Sequence, residues 1–258
     1  MGQPQNNDFK NKVCIITGGA GSIGLESAKL MHESGANIML VDRDVKNLKI
    51  AKSKLNDNER VKICEADVSK SLETQNYISE TIAKWGKIDI LFANAGFSGT
   101  SAPITSYPDD IFDKVMAVNV RGSFLACKYA LPEMNDNGSI IITSSIMGVT
   151  ARPGSIAYIT SKHALIGLMR GVAKESAPRN IRVNVLAPGP VDNAFQLEIE
   201  ERASKASGTN VTEMLNNWIS LGRHASPKEI ANTAYFLASN KSSFSTGSVF
   251  MADGGMHI

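Results

Sequence analysis

The chain has little cysteine and no long apolar run. Its 258 residues include three cysteines, Cys14, Cys64 and Cys127, which are far apart and beside apolar residues. They form neither a CxxC motif nor a metal-ligand spacing, so we expect no metal site and instead buried, reduced thiols in a cytoplasmic protein. No apolar run approaches the roughly 18 residues that a membrane-spanning helix needs, so no membrane association is predicted.

The sequence also has little net charge and no signal segment. Its 27 basic residues oppose 25 acidic ones and are scattered without interleaved aromatics, so no nucleic-acid partner is predicted. Residues 1–8 are polar, lack the layout of a secretory signal, and are interpreted as a flexible tail. An apolar fraction of 43% and a charged fraction of 20% are typical of a soluble globular protein.

Short β-branched runs alternate with longer amphipathic stretches, a pattern typical of βαβ units. The runs are apolar throughout, as expected for strands that are covered on both faces. Strands are predicted at 13–17, 38–41, 61–64, 88–93, 139–143, 181–186 and 248–251, and helices at about 22–34, 44–55, 71–85, 109–131, 158–176 and 227–238. Ser226 followed by Pro227 predicts a helix start, and Gly35 a helix end.

These elements predict one α/β domain over residues 9–258, a Rossmann-type, doubly wound parallel sheet with helices on both faces. No linker, repeat or low-complexity segment divides the chain. The segment 190–222 follows a strand and is too long for a plain crossover. Because ligands bind at the carboxyl ends of strands in such sheets, we interpret this segment as a substrate-binding insertion.

A glycine-rich run follows the first strand and opens the first helix. Residues 17–24 read TGGAGSIG and contain GxGxxG, which lets the backbone approach a pyrophosphate at a helix N-terminus. Asp42 ends the second strand, where a carboxylate accepts hydrogen bonds from ribose hydroxyls and repels a 2′-phosphate. Arg43 could instead pair with that phosphate. The run predicts a dinucleotide site with NAD favoured over NADP; a plain turn with a capping aspartate is the alternative.

Tyr158 and Lys162 stand four residues apart in a predicted helix, so both side chains lie on one face. A phenol with a pKa of about 10 is a poor base at neutral pH. A nearby ammonium favours the phenolate and would make Tyr158 a general acid/base. The same spacing also occurs on solvated helix faces, so the pair needs support from the rest of the chain.

That support comes from the order of eight motifs, through which the chain resembles a short-chain dehydrogenase/reductase of the classical type from about residue 9 onward. The motifs are the glycine run, Asp67-Val68, Asn94-Ala95-Gly96, Asn119, Ser144-Ser145, Tyr158 with Lys162, Pro188-Gly189 and Asp253-Gly254-Gly255. Two positions depart from the family pattern: Ser22 replaces a glycine, and Asn193 stands near a position that is usually threonine.

The resemblance implies four catalytic residues. Ser145 would hydrogen-bond the substrate oxygen, while Ser144 would point away. Tyr158 would exchange the proton, and Lys162 would lower the Tyr158 pKa and reach the nicotinamide ribose. Asn119 would hold a water that links Lys162 to solvent.

The resemblance also implies the cofactor contacts, and no metal. These contacts would be Gly18, Gly21, Ser22, Ile23, Gly24, Asp42, Arg43, Asp67, Val68, Asn94, Ala95, Gly96, Tyr158, Lys162, Pro188, Gly189, Val191 and Asn193.

The substrate pocket is expected to be mainly apolar. Its lining would come from residues 97–103, Ile146, Met147, residues 152–156 and the insertion, with Phe195, Leu197, Met214, Leu215 and Trp218 as apolar candidates. Arg152 could pair with an acidic substrate or be solvated.

The leading hypothesis is an NAD-dependent dehydrogenase acting on a small secondary alcohol or ketone. The alternatives are an NADPH-dependent ketone or 3-oxoacyl reductase and a non-catalytic dinucleotide-binding protein. The resemblance further implies a homotetramer, assembled through the wide apolar faces of the helices near 109–131 and 158–176.

Overall fold

One parallel sheet forms the centre of the protein. The computed structural model describes residues 7–56 and 59–258, without the side chains of residues 206 and 207. In these described ranges seven strands are present: β1 (Val13–Thr17), β2 (Asn37–Asp42), β3 (Val61–Glu65), β4 (Ile88–Ala93), β5 (Met134–Thr143), β6 (Arg182–Pro188) and β7 (Val249–Ala252). Their order in the sheet is β3-β2-β1-β4-β5-β6-β7, and every neighbouring pair is parallel. The order reverses between β1 and β4, which opens a crevice at the carboxyl ends of these strands.

Helices cover both faces of the sheet. They are α1 (Ser22–Glu33), α2 (Val45–Ser53), α3 (Ser71–Trp85), α4 (Asp109–Met116), α5 (Gly122–Ala130), α6 (Ile156–Ser176), α7 (Ala194–Ser207), α8 (Val211–Trp218) and α9 (Pro227–Ala238). Neighbouring β1 residues pack into different clusters: Ile15 joins the apolar core with α3, α5 and α6, whereas Ile16 joins the core with α1, α2 and α9. Helices therefore shield both faces of the sheet from solvent, as the continuous apolar strands predict.

The predicted element boundaries agree with the structure to within a few residues, and two elements differ more. The helix predicted at 109–131 is divided into α4 and α5 by a π-helical segment, Ala117–Arg121. Strand β5 begins at Met134 rather than near 139, and its pairing with β4 shifts register between Ile88 and Ile90. Between these pairs β4 advances by two residues and β5 by five, and irregularities of this kind depend on backbone hydrogen bonding, which the apolar pattern does not record.

The predicted helix ends are confirmed. Ser226 Oγ accepts a hydrogen bond from Glu229 N, and the Glu229 carboxylate accepts one from Ser226 N at 2.7 Å, which completes a capping box at the start of α9. Gly35 follows α1 with a φ of 99°, a conformation that favours glycine.

The three cysteines are free and buried, as predicted. Burial raises the pKa of the Cys127 thiol to about 12 and that of Cys64 to about 11. Among the described residues, no group of histidine, cysteine, aspartate and glutamate is arranged to hold a metal ion. In the same part of the chain no helix is long and apolar enough to cross a membrane.

Most of the predicted tail, residues 1–6, lies outside the described residues. Asp8, at the end of that segment, accepts a hydrogen bond from Tyr235 Oη at 3.1 Å and pairs with Lys241 Nζ at 3.0 Å. The contacts of the domain therefore extend to Asp8.

Candidate active site

A cavity of about 390 Å³ opens at the carboxyl ends of the central strands. Most of the predicted site residues line it: Gly18, Gly21, Ser22, Ile23, Asp42, Asn94, Ala95, Gly96, Ser145, Tyr158, Lys162, Pro188, Gly189, Val191 and Asn193. Asp42 ends β2 and Pro188 ends β6, and β1, β4 and β5 lie between these two strands, so the two residues lie toward opposite ends of the cavity. The predicted residues Gly24, Arg43, Asp67, Val68 and Asn119 do not line the cavity.

The glycine run forms a close-packed cradle with no room for a side chain at Gly18 or Gly24. Gly18 has a φ of 64°, and a Cβ added there would lie 3.0 Å from the Ala95 Cα. A Cβ added to Gly24 would lie 2.3 Å from the Gly18 carbonyl oxygen, so that residue packs the turn against the helix. Within the described residues, no side chain caps the N-terminus of α1. A bare helix N-terminus beside a close-packed turn fits a phosphate group, so these residues fit a dinucleotide.

Asp42 is held beside this cradle. Its carboxylate accepts hydrogen bonds from Ala20 N at 3.2 Å and from Asp44 N at 3.3 Å. The first bond ties the end of β2 to the glycine run and fixes one oxygen. Arg43 is exposed, away from the cavity lining. A carboxylate is therefore the charged group at this end of the cavity.

Asp67 and Val68 lie outside the cavity and have local partners. Burial would raise the pKa of Asp67, but hydrogen bonds from the Ser69 hydroxyl and amide outweigh it and hold that pKa below its ordinary value. Val68 is buried where α5 begins, since a Cβ added to Gly122 would lie 2.8 Å from Val68 Cγ2. These contacts are those of a strand-end turn.

Asn94 joins three neighbouring strand ends. Its amide N–H donates to Thr17 Oγ1 at 3.0 Å, its side-chain Nδ2 donates to Thr17 O at 3.3 Å, and its Oδ1 accepts from Thr143 Oγ1 at 3.1 Å. These bonds fix the floor of the cavity beneath Ala95 and Gly96.

Tyr158 and Lys162 share one face of α6, as their spacing predicts. Lys162 Nζ lies 5.4 Å from the Tyr158 ring centroid and donates a hydrogen bond to Thr143 O at 2.8 Å. The two serines that follow β5 differ: buried Ser144 donates to Lys162 O at 2.8 Å, whereas Ser145 Oγ accepts from Met147 N at 3.1 Å and its side chain interacts with the Tyr158 phenol. Ser144 thus attaches α6 to the sheet, and Ser145 faces the phenol.

The predicted lowering of the Tyr158 pKa by Lys162 is wrong for this structure. Burial raises the pKa of Tyr158 to about 12, against the opposing effects of the Ser145 hydrogen bond and the Arg152 charge. Burial also lowers the pKa of Lys162 to about 7, and the hydrogen bond that its ammonium donates goes to the neutral Thr143 carbonyl. A desolvated lysine is only partly charged near neutral pH, so it stabilises a phenolate weakly. At neutral pH Tyr158 carries its proton.

Asn119 lies in the π-helical segment behind the cavity. Its Oδ1 accepts from Phe97 N at 2.7 Å, and its Nδ2 donates to Phe97 O at 3.0 Å and to Ser161 Oγ at 2.9 Å. A Cβ added to Gly96 would lie 3.6 Å from Asn119 Oδ1 and 3.7 Å from Lys162 Nζ. Asn119 therefore holds the Phe97 backbone through two hydrogen bonds. Its side-chain oxygen and the Lys162 ammonium both lie close to Gly96.

The two departures from the family pattern contact each other. Asn193 caps α7 by accepting a hydrogen bond from Gln196 N at 2.9 Å, and its Nδ2 donates to Ser22 Oγ at 3.0 Å. The insertion helix is thereby attached directly to the glycine run. The sequence does not link these two positions, because they are 171 positions apart.

The substrate wall is mainly apolar, and it uses one face of α7. Its apolar members include Ile146, Met147, Phe195, Ile199, Leu215 and Met256. Of the predicted candidates, Leu197 and Trp218 are 55% and 56% exposed, and Met214 does not line the cavity, so these three predictions are wrong. Spacings of three and four from Phe195 would have identified Ile199 and Arg202, since such residues share a helix face.

Two arginines stand in this wall. Arg152, for which solvation was an open alternative, is partly buried and lines the cavity. Arg202, which sequence reasoning missed, also lines it and donates to Gly99 O at 2.7 Å and to Ser98 Oγ at 3.0 Å. Arg202 thereby attaches α7 to the loop that carries Ser98.

Comparison with known proteins gives a consistent set of relatives. A sequence model of the family described as enoyl-(acyl carrier protein) reductase matches residues 18–257. The 3-oxoacyl-(acyl-carrier-protein) reductase FabG of Rickettsia felis is 33% identical over 251 residues, which cover 96% of this chain and 98% of the relative.

Solved structures of similar fold cover almost the whole chain. Levodione reductase superposes with a TM-score of 0.92 at 29% identity and covers 96% of this chain and 98% of its own. NAD⁺-bound xylitol dehydrogenase gives a TM-score of 0.91 at 33% identity, with 96% and 99% covered. A 3-ketoacyl-(acyl-carrier-protein) reductase of Brucella melitensis complexed with NADH gives a TM-score of 0.87 at 27% identity, with 96% and 99% covered.

Proposed function

Because the chain belongs to the short-chain dehydrogenase/reductase family, we propose that it is an NAD-dependent oxidoreductase that interconverts a secondary alcohol and a ketone. One observation carries this proposal: Ser145, Tyr158 and Lys162 line the same cavity as the glycine cradle and Asp42. A protein that only bound a dinucleotide would not need a serine beside a partly buried tyrosine at that point.

The choice of NAD rests on Asp42. Its carboxylate is fixed by Ala20 N beside the cradle, where it can accept hydrogen bonds from ribose hydroxyls and repel a 2′-phosphate. Arg43, the only support for NADP in the sequence, is exposed and is not among the residues that line the cavity. Two similar structures hold NAD⁺ and NADH.

The cofactor, when bound, would accept the hydride from the alcohol or return it to the ketone. Ser145 would donate a hydrogen bond to the substrate oxygen and place a dipole where charge develops. Tyr158 would take the proton of that oxygen in oxidation and give it back in reduction.

Lys162 and Asn119 would support Tyr158. Lys162 Nζ is fixed by Thr143 O at 2.8 Å and lies beside the phenol ring. A Cβ added to Gly96 would lie 3.6 Å from Asn119 Oδ1 and 3.7 Å from Lys162 Nζ, which supports the predicted role of Asn119 in holding a water between Lys162 and solvent. The protonated state of Tyr158 at neutral pH suits reduction, because the proton donor is then fully loaded.

A second candidate is an NADPH-dependent 3-oxoacyl reductase. The observation that favours it is the FabG relative of Rickettsia felis, at 33% identity over 96% of this chain. Against it, Asp42 would repel the 2′-phosphate of NADPH.

The test measures absorbance at 340 nm with NAD and NADP side by side over a panel of alcohols, and with NADH and NADPH over ketones and a 3-oxoacyl thioester. The proposal expects turnover with a clear NAD preference. Better turnover with NADPH and the thioester would establish the second candidate. NADH binding without any turnover would leave a non-catalytic binding protein.

A further inference from the structure

Arg152 places a guanidinium in the cavity wall, and none of the described residues is bonded to it. It lines the cavity, is partly buried, and makes no hydrogen bond or ion pair with any residue that the structure describes. Burial lowers its pKa, which means that the charge has lost water without gaining a full set of contacts. A desolvated, unpaired charge is costly, so its position is explained most simply by a group that enters the cavity.

The nearest candidate partner inside the protein is already engaged. The charge of Glu200 acts on Arg152 and raises its pKa. The Glu200 carboxylate, however, already accepts three hydrogen bonds, from His224 Nε2 at 2.6 Å, Gln196 Nε2 at 2.8 Å and Thr212 Oγ1. Glu200 is only 4% exposed and does not line the cavity. Its oxygens thus stabilise the insertion rather than pair with Arg152.

The charged groups that line the cavity are few. Among the described residues these are Asp42, Arg152, Lys162 and Arg202. Asp42 belongs to the cradle end, on β2. The guanidinium of Arg202 donates hydrogen bonds to Gly99 O and Ser98 Oγ. In the part of the chain that the structure describes, the wall around Tyr158 therefore has positive groups and no carboxylate, and Arg152 is the positive group whose donors are available.

We propose that Arg152 binds a carboxylate of the substrate, so that the enzyme interconverts a hydroxy acid and the corresponding oxo acid. This deepens, and rests on, the proposed oxidoreductase function. A guanidinium offers two parallel N–H donors that match the two oxygens of a carboxylate. The same molecule would present its carbinol to Ser145 and Tyr158, because Arg152 lies close enough for its charge to act on the phenol.

The proposal can be separated from a purely electrostatic role of Arg152 on Tyr158. An effect through the phenol would change turnover of acidic and neutral substrates alike. Recognition of a carboxylate would instead change the ratio between an acid and its ester, mainly through KM. The experiment therefore compares short hydroxy acids and their oxo acids with the methyl esters of the same compounds.

Four proteins are compared: the parent, Arg152→Gln, Arg152→Lys and the control Arg170→Gln. Arg170 is exposed on α6, so its loss changes net charge equally without touching the cavity. Thermal unfolding verifies that each variant folds. Binding of the oxo acids and esters to the NADH-saturated protein is measured by calorimetry, and kcat and KM are measured with NAD and the hydroxy compounds.

The parent should prefer at least one acid over its ester by roughly 10- to 100-fold in affinity and in kcat/KM, the range expected for hydrogen bonds to a charged group. In Arg152→Gln that ratio should fall to about one, with an intermediate ratio in Arg152→Lys and the parental ratio in Arg170→Gln. An acid preference that survives in Arg152→Gln, or no preference in the parent for any pair, would overturn the proposal.

The result also separates this inference from the proposed function. Arg152-dependent acid binding without NAD-linked turnover would retain the carboxylate site and remove the oxidoreductase. Turnover of esters and neutral alcohols with no advantage for any acid would do the reverse.

Discussion

The hydrogen bond between Ser22 and Asn193 is expected to couple the dinucleotide cradle to the helix that covers the substrate. Asn193 makes two bonds with its side chain, one to Gln196 N at 2.9 Å as the cap of α7 and one to Ser22 Oγ at 3.0 Å. Loss of a cap costs about 1 kcal/mol, and loss of a neutral hydrogen bond about 1 kcal/mol. Asn193→Ala should therefore destabilise the observed, attached position of α7 by about 2 kcal/mol, roughly 30-fold in the equilibrium for its detachment, which is its opening equilibrium here.

Two milder variants separate the contributions. Asn193→Ser retains a capping oxygen but cannot reach Ser22 as the amide does, and Ser22→Ala removes only the hydroxyl. Each should cost about 1 kcal/mol, roughly fivefold in the opening equilibrium. Asn210→Ala is the matched control: Asn210 caps α8 through Glu213 N at 3.2 Å and has no contact with the glycine run.

The assay is hydrogen exchange of the α7 amides, with thermal unfolding of the whole protein as a check on global stability. Combining Ser22→Ala with Asn193→Ser should cost no more than either change alone, because both remove the same bond. KM for NAD should rise in these variants and stay at the parental value in Asn210→Ala. Strict additivity of the two changes, or exchange of α7 that is unchanged in Asn193→Ala, would refute the coupling.

Four further predictions follow from the site and the assembly. Tyr158→Phe keeps the ring and removes the proton-carrying hydroxyl, so NADH should still bind, as measured by fluorescence, while kcat falls by at least about 100-fold; a loss below about tenfold would contradict the assignment. Asp42→Ala should reduce the NAD preference in kcat/KM by removing the carboxylate that repels a 2′-phosphate, with Arg43 then able to meet it, and a parent that already prefers NADP would oppose this reasoning. Burial holds the pKa of Tyr158 at about 12, so ketone reduction should be nearly constant between about pH 7 and 9. Alcohol oxidation needs the phenolate and should rise with pH over the same range. A plateau in oxidation within this range, with a deuterium isotope effect showing that hydride transfer limits the rate, would count against a protonated Tyr158. Light scattering should show a homotetramer. The reason is that Phe124 on α5 is 45% exposed beside Met116 and Leu168 in an apolar surface groove. An active species of 27.7 kDa would disprove the assembly.

The sequence alone determined those features that depend on neighbours along the chain. Continuous apolar strands predicted a sheet covered on both faces, and Ser226 with Pro227 predicted the start of α9, because caps and periodicity act within one or two turns. The spacing of Tyr158 and Lys162 placed them on one helix face for the same reason. The position of Asp42 at the end of β2 could be read from the sequence, because the apolar run of the strand stops at the preceding residue.

Only the tertiary structure decided what depends on packing between distant segments. The Ser22–Asn193 hydrogen bond joins residues 171 positions apart, and no local pattern encodes it. The high pKa of Tyr158 and the low pKa of Lys162 follow from burial, which is a property of everything packed around them. The location of Arg152 in the cavity wall has the same origin: a loop residue is solvated or enclosed according to what folds over it, and here α7 and the loop held by Arg202 form the cavity beside it.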